Sequence, residues 1–270
     1  MKLSIITVNK NNCDGLQKTI DSVVSQSFKD FEWIVVDGGS TDGSRELIER
    51  YADHFVYWVS ELDGGVYNAM NKGIQQAKGE YLLFLNSGDF LLSDDGLSVV
   101  FSEERTSDIV NARCAVSEHG KQIWVSPFLP QITLKTLYTV GLPHQSTFIR
   151  KSLFHRFGSY REDFRFNSDI AFWYKAILFG GATTQGVDVI LTDYNTDGLS
   201  SSNVNTDAYN WEMKEILSEG VLPRVLPDYD EWLKDKKMLE EIGWIEQHQG
   251  LRVLLRRCHK LFKRNKKGHD

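Results

Sequence analysis

The first hundred residues alternate between strand-like and helix-like segments, and this alternation restricts the fold more than any other feature. Apolar runs predict four buried strands at residues 2–8, 31–37, 54–60 and 80–85. Apolar residues at helical spacing predict three helices between them, at residues 12–26, 43–52 and 64–77. Strands that alternate with helices in this way run parallel in a sheet covered on both faces. The sequence therefore predicts an α/β fold.

Short polar residues stand at the end of each predicted strand. The four strand ends read TVN at 7–9, DGGS at 37–40, ELDGG at 61–65 and NSGD at 86–89. In parallel α/β sheets, ligands bind at the carboxyl ends of the strands. We therefore expect these four segments to line one shared cleft, which is rich in carboxylates and glycines.

The second half of the chain has a looser pattern. Residues 109–115 and 121–125 predict a hairpin, and residues 146–150 and 187–194 predict two further strands. Helices are predicted at residues 152–157 and 168–179. After about residue 203 the chain is predicted to be helical, with three tryptophans as packing anchors: Trp211, Trp232 and Trp244.

Charge and composition exclude several classes of protein. The 270 residues carry a net charge of −6, but residues 251–270 hold eight Lys or Arg and one Asp, which leaves −13 for the remainder. An acidic body argues against nucleic-acid binding. No apolar run reaches the length of a membrane span, no signal-peptide pattern precedes the first strand, and three isolated cysteines lack zinc spacing. These features predict a cytoplasmic protein.

The predicted cleft lacks the glycine motifs of dinucleotide-binding and P-loop sites. A cleft rich in carboxylates repels a bare phosphate, but a divalent cation between them turns it into a diphosphate site. Asp89 is the best-placed ligand for such a cation, because it follows the buried strand at residues 80–85. The alternative is that Asp89 only caps the segment that follows it in an Asx-turn.

Several motifs in a fixed order carry a family resemblance. LSIITVNKNN, FEWIVVDGGSTDGS and SELDGGVYNAMNKGIQQAKGEYLLFLNSGD follow one another, and together they resemble the nucleotide-sugar-binding half of family 2 glycosyltransferases of the GT-A type. The resemblance is dense over residues 1–100 and thins out towards residue 200. The wording of VDGGSTDG, DGGVYNAMNKG, NSGD and PHQSTFIRKSLF is similar to the subgroup that builds bacterial exopolysaccharide, capsule or O-antigen repeats.

This resemblance implies a fold and a domain organisation. The expected fold is GT-A-like and Rossmann-related, with a mixed, mainly parallel sheet flanked by helices. Residues 1–100 would form the nucleotide-sugar-binding half, and residues 101–202 the acceptor-binding half of the same domain. Residues 203–270 would form a helical C-terminal extension.

The resemblance also implies a metal site. The last carboxylate of an Asp-x-Asp-type motif in this family holds Mg²⁺ or Mn²⁺ against the donor diphosphate, and Asp89 takes that place here. Asn86 and Gly88 stand where other members often carry Asp, so a further ligand is expected to help. His144 is the candidate for that ligand, and the alternative is a hydrogen-bonded core histidine.

Seven residues are expected to contact the nucleotide sugar on the same ground: Thr7, Asn9, Asp37, Asp63, Asn71, Asn86 and Ser87. Thr7 and Asn9 would line the base pocket, and Asp37 would accept hydrogen bonds from the base or ribose. The alternative for Asp37 is capping of the next helix, which Asp42 can also cap. Asn71 shares a helix face with Tyr67, away from an apolar stripe that begins at Val66. The alternative for that face is an ordinary polar helix surface.

A catalytic base is implied by a second acidic motif in the acceptor half. The matching sequence is RFNSDIAFW at 165–173, in which Asp169 fits the base and Ser168 replaces the usual first acid. Ser168 and Asp169 can also cap the helix that begins there. Asp163 is a second candidate for the base. A single base without a covalent partner implies direct displacement with inversion at the anomeric carbon.

The last twenty residues combine apolar residues at helical spacing with many basic residues. This pattern, over residues 251–267, predicts an interfacial helix on an anionic membrane surface. The alternative is a helix that packs on the body and exposes a basic face. Gly198–Ser202 is expected to be a flap over the donor or a plain surface loop.

Together, these features predict a metal-dependent, inverting glycosyltransferase at the cytoplasmic face of the membrane. It would move a sugar from a nucleotide diphosphate sugar to a saccharide acceptor, lipid-linked in the favoured interpretation. Two alternatives remain at this point. One is a catalytically silent nucleotide- or saccharide-binding module. The other is a nucleotidyltransferase, which would be expected to carry a glycine-rich basic loop where Asn9-Lys10-Asn11-Asn12 stands.

Overall fold

One mixed sheet is the framework of the fold. The computed structural model describes residues 1–196, 206–220 and 222–247. Nine strands lie within these ranges: β1 (Leu3–Asn9), β2 (Phe31–Asp37), β3 (Tyr57–Ser60), β4 (Tyr81–Phe84), β5 (Phe90–Leu91), β6 (Ile109–Glu118), β7 (Lys121–Val125), β8 (Thr147–Arg150) and β9 (Thr184–Asn195). Their order is β3-β2-β1-β4-β8-β6-β9-β5, and β7 pairs with β6.

The first four strands are parallel, as predicted, and helices cover both of their faces. The helices before β6 are α1 (Cys13–Val24), α2 (Ser44–Arg50), α3 (Val66–Gln76) and α4 (Gly96–Val100). Residues of α1 and α2 share a buried cluster with Leu3 and Ile5 of β1. On the opposite face, α3 packs so closely that a Cβ on Gly73 would lie 2.4 Å from Ile6 Cγ2.

The direction of β8 differs from that of its neighbours. β8 is antiparallel to β4, with Leu83 opposite Phe148, and it is also antiparallel to β6. Residues 144–146 immediately precede β8 as a short 3₁₀ helix. The residues that enter β8 therefore lie beside the carboxyl end of β4, where the NSGD segment begins.

The later helices are α5 (Leu134–Thr139), α6 (Ser152–Phe157), α7 (Ser168–Trp173), α8 (Asp207–Leu217) and α9 (Leu222–Gln247). Two predicted elements differ in detail. The predicted strand at 54–60 begins only at Tyr57, because a 3₁₀ turn occupies residues 52–54. The predicted helix at 168–179 changes into a π-helix after Trp173.

Two compact units divide the chain, one from Met1 to Ile216 and one that begins at Leu217. The first unit extends past residue 202, where the sequence placed the end of the acceptor half. The second unit contains α9, which has Pro227 inside it. Trp211 and Trp232 are each 47% exposed, so neither is a buried anchor, although Trp211 packs edge-on against Phe164 with ring centroids 5.7 Å apart. The side chain of Trp244 lies outside the described residues.

Two further predictions, the flap at Gly198–Ser202 and the amphipathic tail at 251–267, lie outside the described residues. Within the ranges that the structure does describe, no helix has both the length and the apolar character needed to cross a membrane.

Candidate active site

Where β1 and β2 end, the buried carboxylate of Asp37 accepts four hydrogen bonds. Asp37 is fully buried, and its Oδ1 accepts hydrogen bonds from Asn9 Nδ2 (2.7 Å) and the Ser40 hydroxyl. Its Oδ2 accepts from Ser40 N (2.9 Å) and the Ser60 hydroxyl (2.6 Å). Burial alone would raise the pKa of Asp37, but these hydrogen bonds outweigh it and hold the pKa below its ordinary value. Asp37 is therefore an ionised acceptor at neutral pH.

Asp63 lies against the same strand end. Its Oδ1 accepts from Gly65 N at 2.9 Å, and a Cβ on Gly38 would lie 2.7 Å from its Oδ2. Thr7 lies deeper, fully buried, and its hydroxyl accepts from the Trp33 indole at 3.0 Å. The structure thus brings Asn9, Asp37 and Asp63 together. The Thr7 hydroxyl instead accepts from Trp33 within the sheet.

The NSGD segment is held in place by α1. Asn12 caps this helix and also donates from Nδ2 to Ser87 O at 2.9 Å. The Thr19 hydroxyl donates to Asp89 O at 2.7 Å and accepts from Gly88 N at 3.1 Å. Gly88 has a φ of 103°, in the left-handed region that favours glycine. This turn therefore explains why the chain carries glycine rather than Asp at residue 88.

Asp89 is only 6% exposed and lies next to a second buried carboxylate. Its neighbour Phe90 pairs with Asp193 across β5 and β9. Burial raises the pKa of Asp89 to about 7, and the Asp193 charge acts in the same direction, while His144 opposes them. Without a cation nearby, this environment disfavours the ionised form of Asp89.

His144 connects the end of β4 with the start of α7. Its Nδ1 lies 3.1 Å from Asp169 Oδ2, and its Nε2 lies 3.2 Å from Asn86 Nδ2. One tautomer satisfies both contacts, with Nδ1–H donating to Asp169 and Nε2 accepting from Asn86. Burial lowers the pKa of His144, but its hydrogen bond to Asp169 and the charges of Asp169 and Asp89 outweigh burial and raise it.

Asp169 is oriented by three groups. Besides the contact of Oδ2 with His144, its Oδ1 accepts from the Tyr67 hydroxyl (3.0 Å) and from Ile170 N (2.9 Å). The Asp169 side chain keeps 14% of its surface exposed. Burial, followed by the Asp169 charge, raises the pKa of Tyr67 well above its ordinary value. Tyr67 therefore stays a hydrogen-bond donor.

The face of α3 that carries Tyr67 and Asn71 is buried rather than an ordinary polar surface. The Asn71 amide donates to Tyr160 O (2.9 Å) and accepts from Tyr160 N (3.0 Å). Its Nδ2 also donates to Glu162 at 2.8 Å. Asn71 thus joins α3 to the segment before α7, and its nucleotide contact stays a prediction. Val66, predicted in the apolar stripe, is instead 37% exposed.

Ser168 of the acidic motif and Asp163, the second candidate for the base, lie in different settings. Ser168 is 1% exposed, and its hydroxyl has no hydrogen-bond partner among the described residues. Asp163 is exposed and accepts hydrogen bonds from both Nε and Nη2 of Arg161, at 3.1 and 2.6 Å. This pairing holds the pKa of Asp163 below its ordinary value. Of the two candidates for the base, only Asp169 contacts His144 and Tyr67.

Some residues of the site were not predicted from the sequence. Asn12, Thr19 and Asp193 shape or charge the surroundings of Asp89, but each acts through backbone groups or through a neighbour that is distant in the sequence. Neither the periodicity of apolar residues nor a sequence motif indicates such contacts. The structure brings predicted members together in two groups: Asn9, Asp37 and Asp63 where β1 and β2 end, and Asn86, His144 and Asp169.

Comparison with known proteins identifies the family. The family model described as glycosyl transferase family 2 matches residues 4–158. The chain belongs to glycosyl transferase family 2. This confirms the family and the class of enzyme predicted from the motifs.

Relatives of this family 2 chain include two groups from mycobacteria. An uncharacterized glycosyltransferase of Mycobacterium tuberculosis is 33% identical over 211 residues, which cover 74% of this chain and 77% of the relative. A PGL/p-HBAD biosynthesis glycosyltransferase of Mycobacterium bovis is 30% identical over 211 residues, which cover 76% of this chain and 81% of that one.

Similar solved structures confirm the GT-A-like fold expected for the family. S. aureus TarS 1–349, solved in complex with UDP-GlcNAc, has a TM-score of 0.67 at 23% identity, covering 80% of this chain and 65% of that chain. A Pyrobaculum calidifontis mannosyltransferase, solved with GDP-Man and Mn²⁺, has a TM-score of 0.55 at 17% identity, covering 79% and 60%. The family 2 chain thus spans 60% to 65% of the length of these two solved chains.

Proposed function

We propose that this family 2 chain transfers a sugar from a nucleoside diphosphate sugar to a saccharide hydroxyl, with inversion and with the help of a divalent cation. The observation that carries the proposal is the bridge from Asn86 through His144 to Asp169. It joins the strand end expected to receive the donor diphosphate to the residue expected to act as base. Donor and acceptor chemistry would then meet at one point.

The nucleotide is proposed to lie over the carboxyl ends of β1 and β2, against Asn9, Asp37 and Asp63. The ionised state of Asp37 supports this, because a base or ribose offers N–H and O–H donors. Its four hydrogen bonds occupy both oxygens, so a nucleotide donor would replace a serine hydroxyl. Asn9 Oδ1 is buried without a partner in the described chain. Thr7, Asn71, Asn86 and Ser87 remain predicted contacts.

The residues around Asp89 fit a divalent cation. Mg²⁺ and Mn²⁺ prefer carboxylate and amide oxygens, and Asn86 Oδ1 is buried beside His144 without a partner in the ranges that the structure covers. Those ranges contain no group of three or more His, Cys, Asp or Glu suited to a metal. The cation is instead proposed to bind Asp89, with His144 as a candidate second ligand and the donor diphosphate supplying further oxygens. A bound cation would offset the negative charge of the leaving diphosphate.

Asp169 is proposed to be the general base. As the acceptor oxygen forms its bond to the anomeric carbon, the bond from that carbon to the diphosphate breaks and the acceptor proton passes to Asp169. The nucleoside diphosphate leaves with the bonding electron pair. Attack opposite the leaving group inverts the anomeric carbon. Tyr67 and His144 fix the direction of the carboxylate during this step.

The acceptor is proposed to be a lipid-linked saccharide of cell-surface polysaccharide biosynthesis. The support is the basic, amphipathic sequence at 251–267, which suits the anionic inner face of the plasma membrane. A peripheral protein at that face would meet lipid-linked substrates directly. This part of the proposal rests on the sequence.

A thermal-shift screen tests the donor site. UDP, GDP, CMP and dTDP are each added with Mn²⁺ or with EDTA to the wild type and to Asp89→Ala. We expect one nucleotide to raise the melting temperature with Mn²⁺, since a ligand at 100 times its Kd adds about 2.7 kcal/mol of stability. Asp89→Ala is expected to lose the Mn²⁺-dependent part. If no nucleotide raises the melting temperature of the wild type, the proposed donor site is contradicted.

Release of nucleoside diphosphate from the matching nucleotide sugar then tests the chemistry. Asp169→Ala is expected to keep the thermal shift and to lose turnover by about 10²-fold or more. The matched control is Asp163→Ala, which is expected to keep both. A chain that binds nucleotide but releases no diphosphate, and that does not respond to Asp169→Ala, is the silent binding module instead.

A further inference from the structure

A carboxylate of α8 receives three consecutive backbone N–H groups just before Asp169. Glu212 is 2% exposed. Its Oε1 accepts from Arg165 N at 2.5 Å, and its Oε2 accepts from Phe166 N at 3.0 Å and from Asn167 N at 2.8 Å. We call Glu212 and residues 165–167 the Glu212 clamp.

Consecutive N–H groups that point into one concavity form a site for an anion. In the Glu212 clamp the anion is a side chain of the same protein. Hydrogen bonds to an ionised acceptor are roughly twice as strong as neutral ones. The Asn167 amide adds a second link to α8 by donating to Tyr209 O at 3.2 Å. The backbone of residues 165–167 is therefore held firmly from the α8 side.

The clamped backbone leads directly to the proposed base. Asn167 is the N-cap residue of α7, and Asp169 lies in the first turn of that helix. Phe166 O accepts a hydrogen bond from the Tyr67 hydroxyl at 2.7 Å, and the same hydroxyl lies 3.0 Å from Asp169 Oδ1. A shift of the backbone at 166 would thus move Tyr67 and Asp169 together.

We propose that Glu212 is a positioning residue for Asp169, which rests on the proposed function of Asp169 as base. A glutamine of the same size offers only one acceptor oxygen, and its amide N–H₂ would take the place of the other oxygen and face backbone N–H donors. Because misplacement of a catalytic group by about 1 Å can cost about 10²-fold in rate, the loss is expected in turnover rather than in donor affinity.

The first experiment needs no substrate and compares Glu212→Gln with Glu219→Gln in the full chain. Glu219 is an exposed carboxylate further along the sequence, so its substitution changes the charge equally. Hydrogen exchange at the amides of residues 165–167 is expected to accelerate at least tenfold in Glu212→Gln and to stay unchanged in Glu219→Gln. Amides of β1 report on global stability in both variants. Equal exchange at 165–167 in the two variants overturns the clamp.

The second experiment measures release of UDP or GDP from UDP-GlcNAc, UDP-glucose and GDP-mannose. Glu212→Gln is expected to lower kcat by about tenfold to 10²-fold and to leave the donor KM within twofold. In the Asp169→Ala background, Glu212→Gln is expected to have no further effect on kcat. Should Glu212→Gln fold poorly, Glu212→Asp keeps the charge and is expected to show the same separation of kcat from KM with a smaller loss.

The outcomes separate the two ideas. If Asp169→Ala loses turnover but Glu212→Gln keeps the kcat of the wild type, the positioning role is wrong and the proposed base stands. If the two substitutions reduce kcat additively, Glu212 does not act through Asp169. If Asp169→Ala keeps full turnover, the proposed base is wrong, and the positioning role of Glu212 falls with it.

Discussion

Two carboxylates at nearby strand ends have pKa values that are shifted in opposite directions. Asp37 receives four hydrogen bonds, and its pKa lies below the ordinary value despite burial. Burial raises the pKa of Asp89 to about 7, with Asp193 adding to the effect. Environments that separate the pKa values of two carboxylates usually indicate two different tasks. Asp37 suits a standing hydrogen-bond acceptor, whereas Asp89 suits a group that ionises fully only beside a cation.

The environment of Asp89 predicts that the metal-free protein loses stability as the pH rises through about 7. The folded state holds the Asp89 proton up to a pH of about 7, while the unfolded chain has released it above about 4. Stability therefore falls with rising pH in this window. His144 acts in the same direction, because its raised pKa makes the folded state bind the proton more tightly.

Urea unfolding in EDTA at pH 5.5 and pH 8 measures this effect. Asp89→Asn is expected to flatten the decline, since its amide stays neutral, and to be more stable than the wild type at pH 8. Asp193 is the other acidic side chain that interacts with Asp89, and it stays in place in the variant. If the unfolding free energy of the wild type rises between pH 5.5 and pH 8, the raised pKa of Asp89 is contradicted.

At the scale of elements, α3 links the two halves of the site. One face packs on β1, where Gly73 lies against Ile6. The face with Tyr67 and Asn71 reaches the segments at residues 160–162 and 166–169. The helix thus transmits the position of the sheet to the proposed base.

Gly73→Ala tests the close approach of α3 to β1. Alanine gains about 1 kcal/mol of helix propensity over glycine, but the new Cβ would lie 2.4 Å from Ile6 Cγ2 in the core. Overpacking of this kind costs about 1–3 kcal/mol, so we expect net destabilisation and a melting temperature a few degrees lower.

The matched control is Gln75→Ala, at an exposed position of the same helix. This substitution is expected to change the free energy of unfolding by no more than about 0.5 kcal/mol. If the free energy of unfolding of Gly73→Ala equals or exceeds that of Gln75→Ala, α3 does not press on Ile6.

Periodicity predicted which elements exist, but it did not predict all of their faces. The parallel strands and the three helices between them follow from apolar runs and spacing, and the structure confirms them. Val66 was assigned to the apolar stripe and is exposed, while Tyr67 and Asn71 are buried. The reason is that a second surface, the segment around Tyr160, covers this face of α3. A helix with two packed faces does not show a single stripe.

At the scale of the whole molecule, the family motifs predicted Asp169, but the sequence did not indicate what holds it. Its surroundings come from α3, from the residues that enter β8, and from α8. Glu212 binds backbone N–H groups, and these are the same for every residue type except proline. No residue pattern therefore signals such a contact before the fold is known.

The uneven charge of the chain predicts salt-dependent binding to anionic membranes. Residues 251–270 carry eight Lys or Arg and one Asp, and each basic residue near an anionic surface contributes about 1 kcal/mol. The full chain is expected to sediment with vesicles of phosphatidylglycerol and phosphatidylcholine at 0.1 M NaCl and to dissociate at 0.5 M, because salt screens exposed charges.

A chain shortened to residues 1–250 is the control, and it is expected to stay in the supernatant at both salt concentrations while retaining its nucleotide-induced thermal shift. Vesicle binding that survives removal of residues 251–270 would place the membrane contact elsewhere on the molecule.

The reversed direction of β8 has a consequence for how such a protein can diversify. Because β8 runs against β4, the chain from β7 to β8, residues 126–146, arrives beside the carboxyl end of β4, where the donor is proposed to bind. Insertions or deletions in residues 126–142, ahead of His144, would change this part of the proposed site without altering β1, β2 and β4, against which the nucleotide is proposed to lie. Selection, or an engineer grafting loops, would therefore have a segment through which the proposed acceptor side changes independently of the proposed donor side.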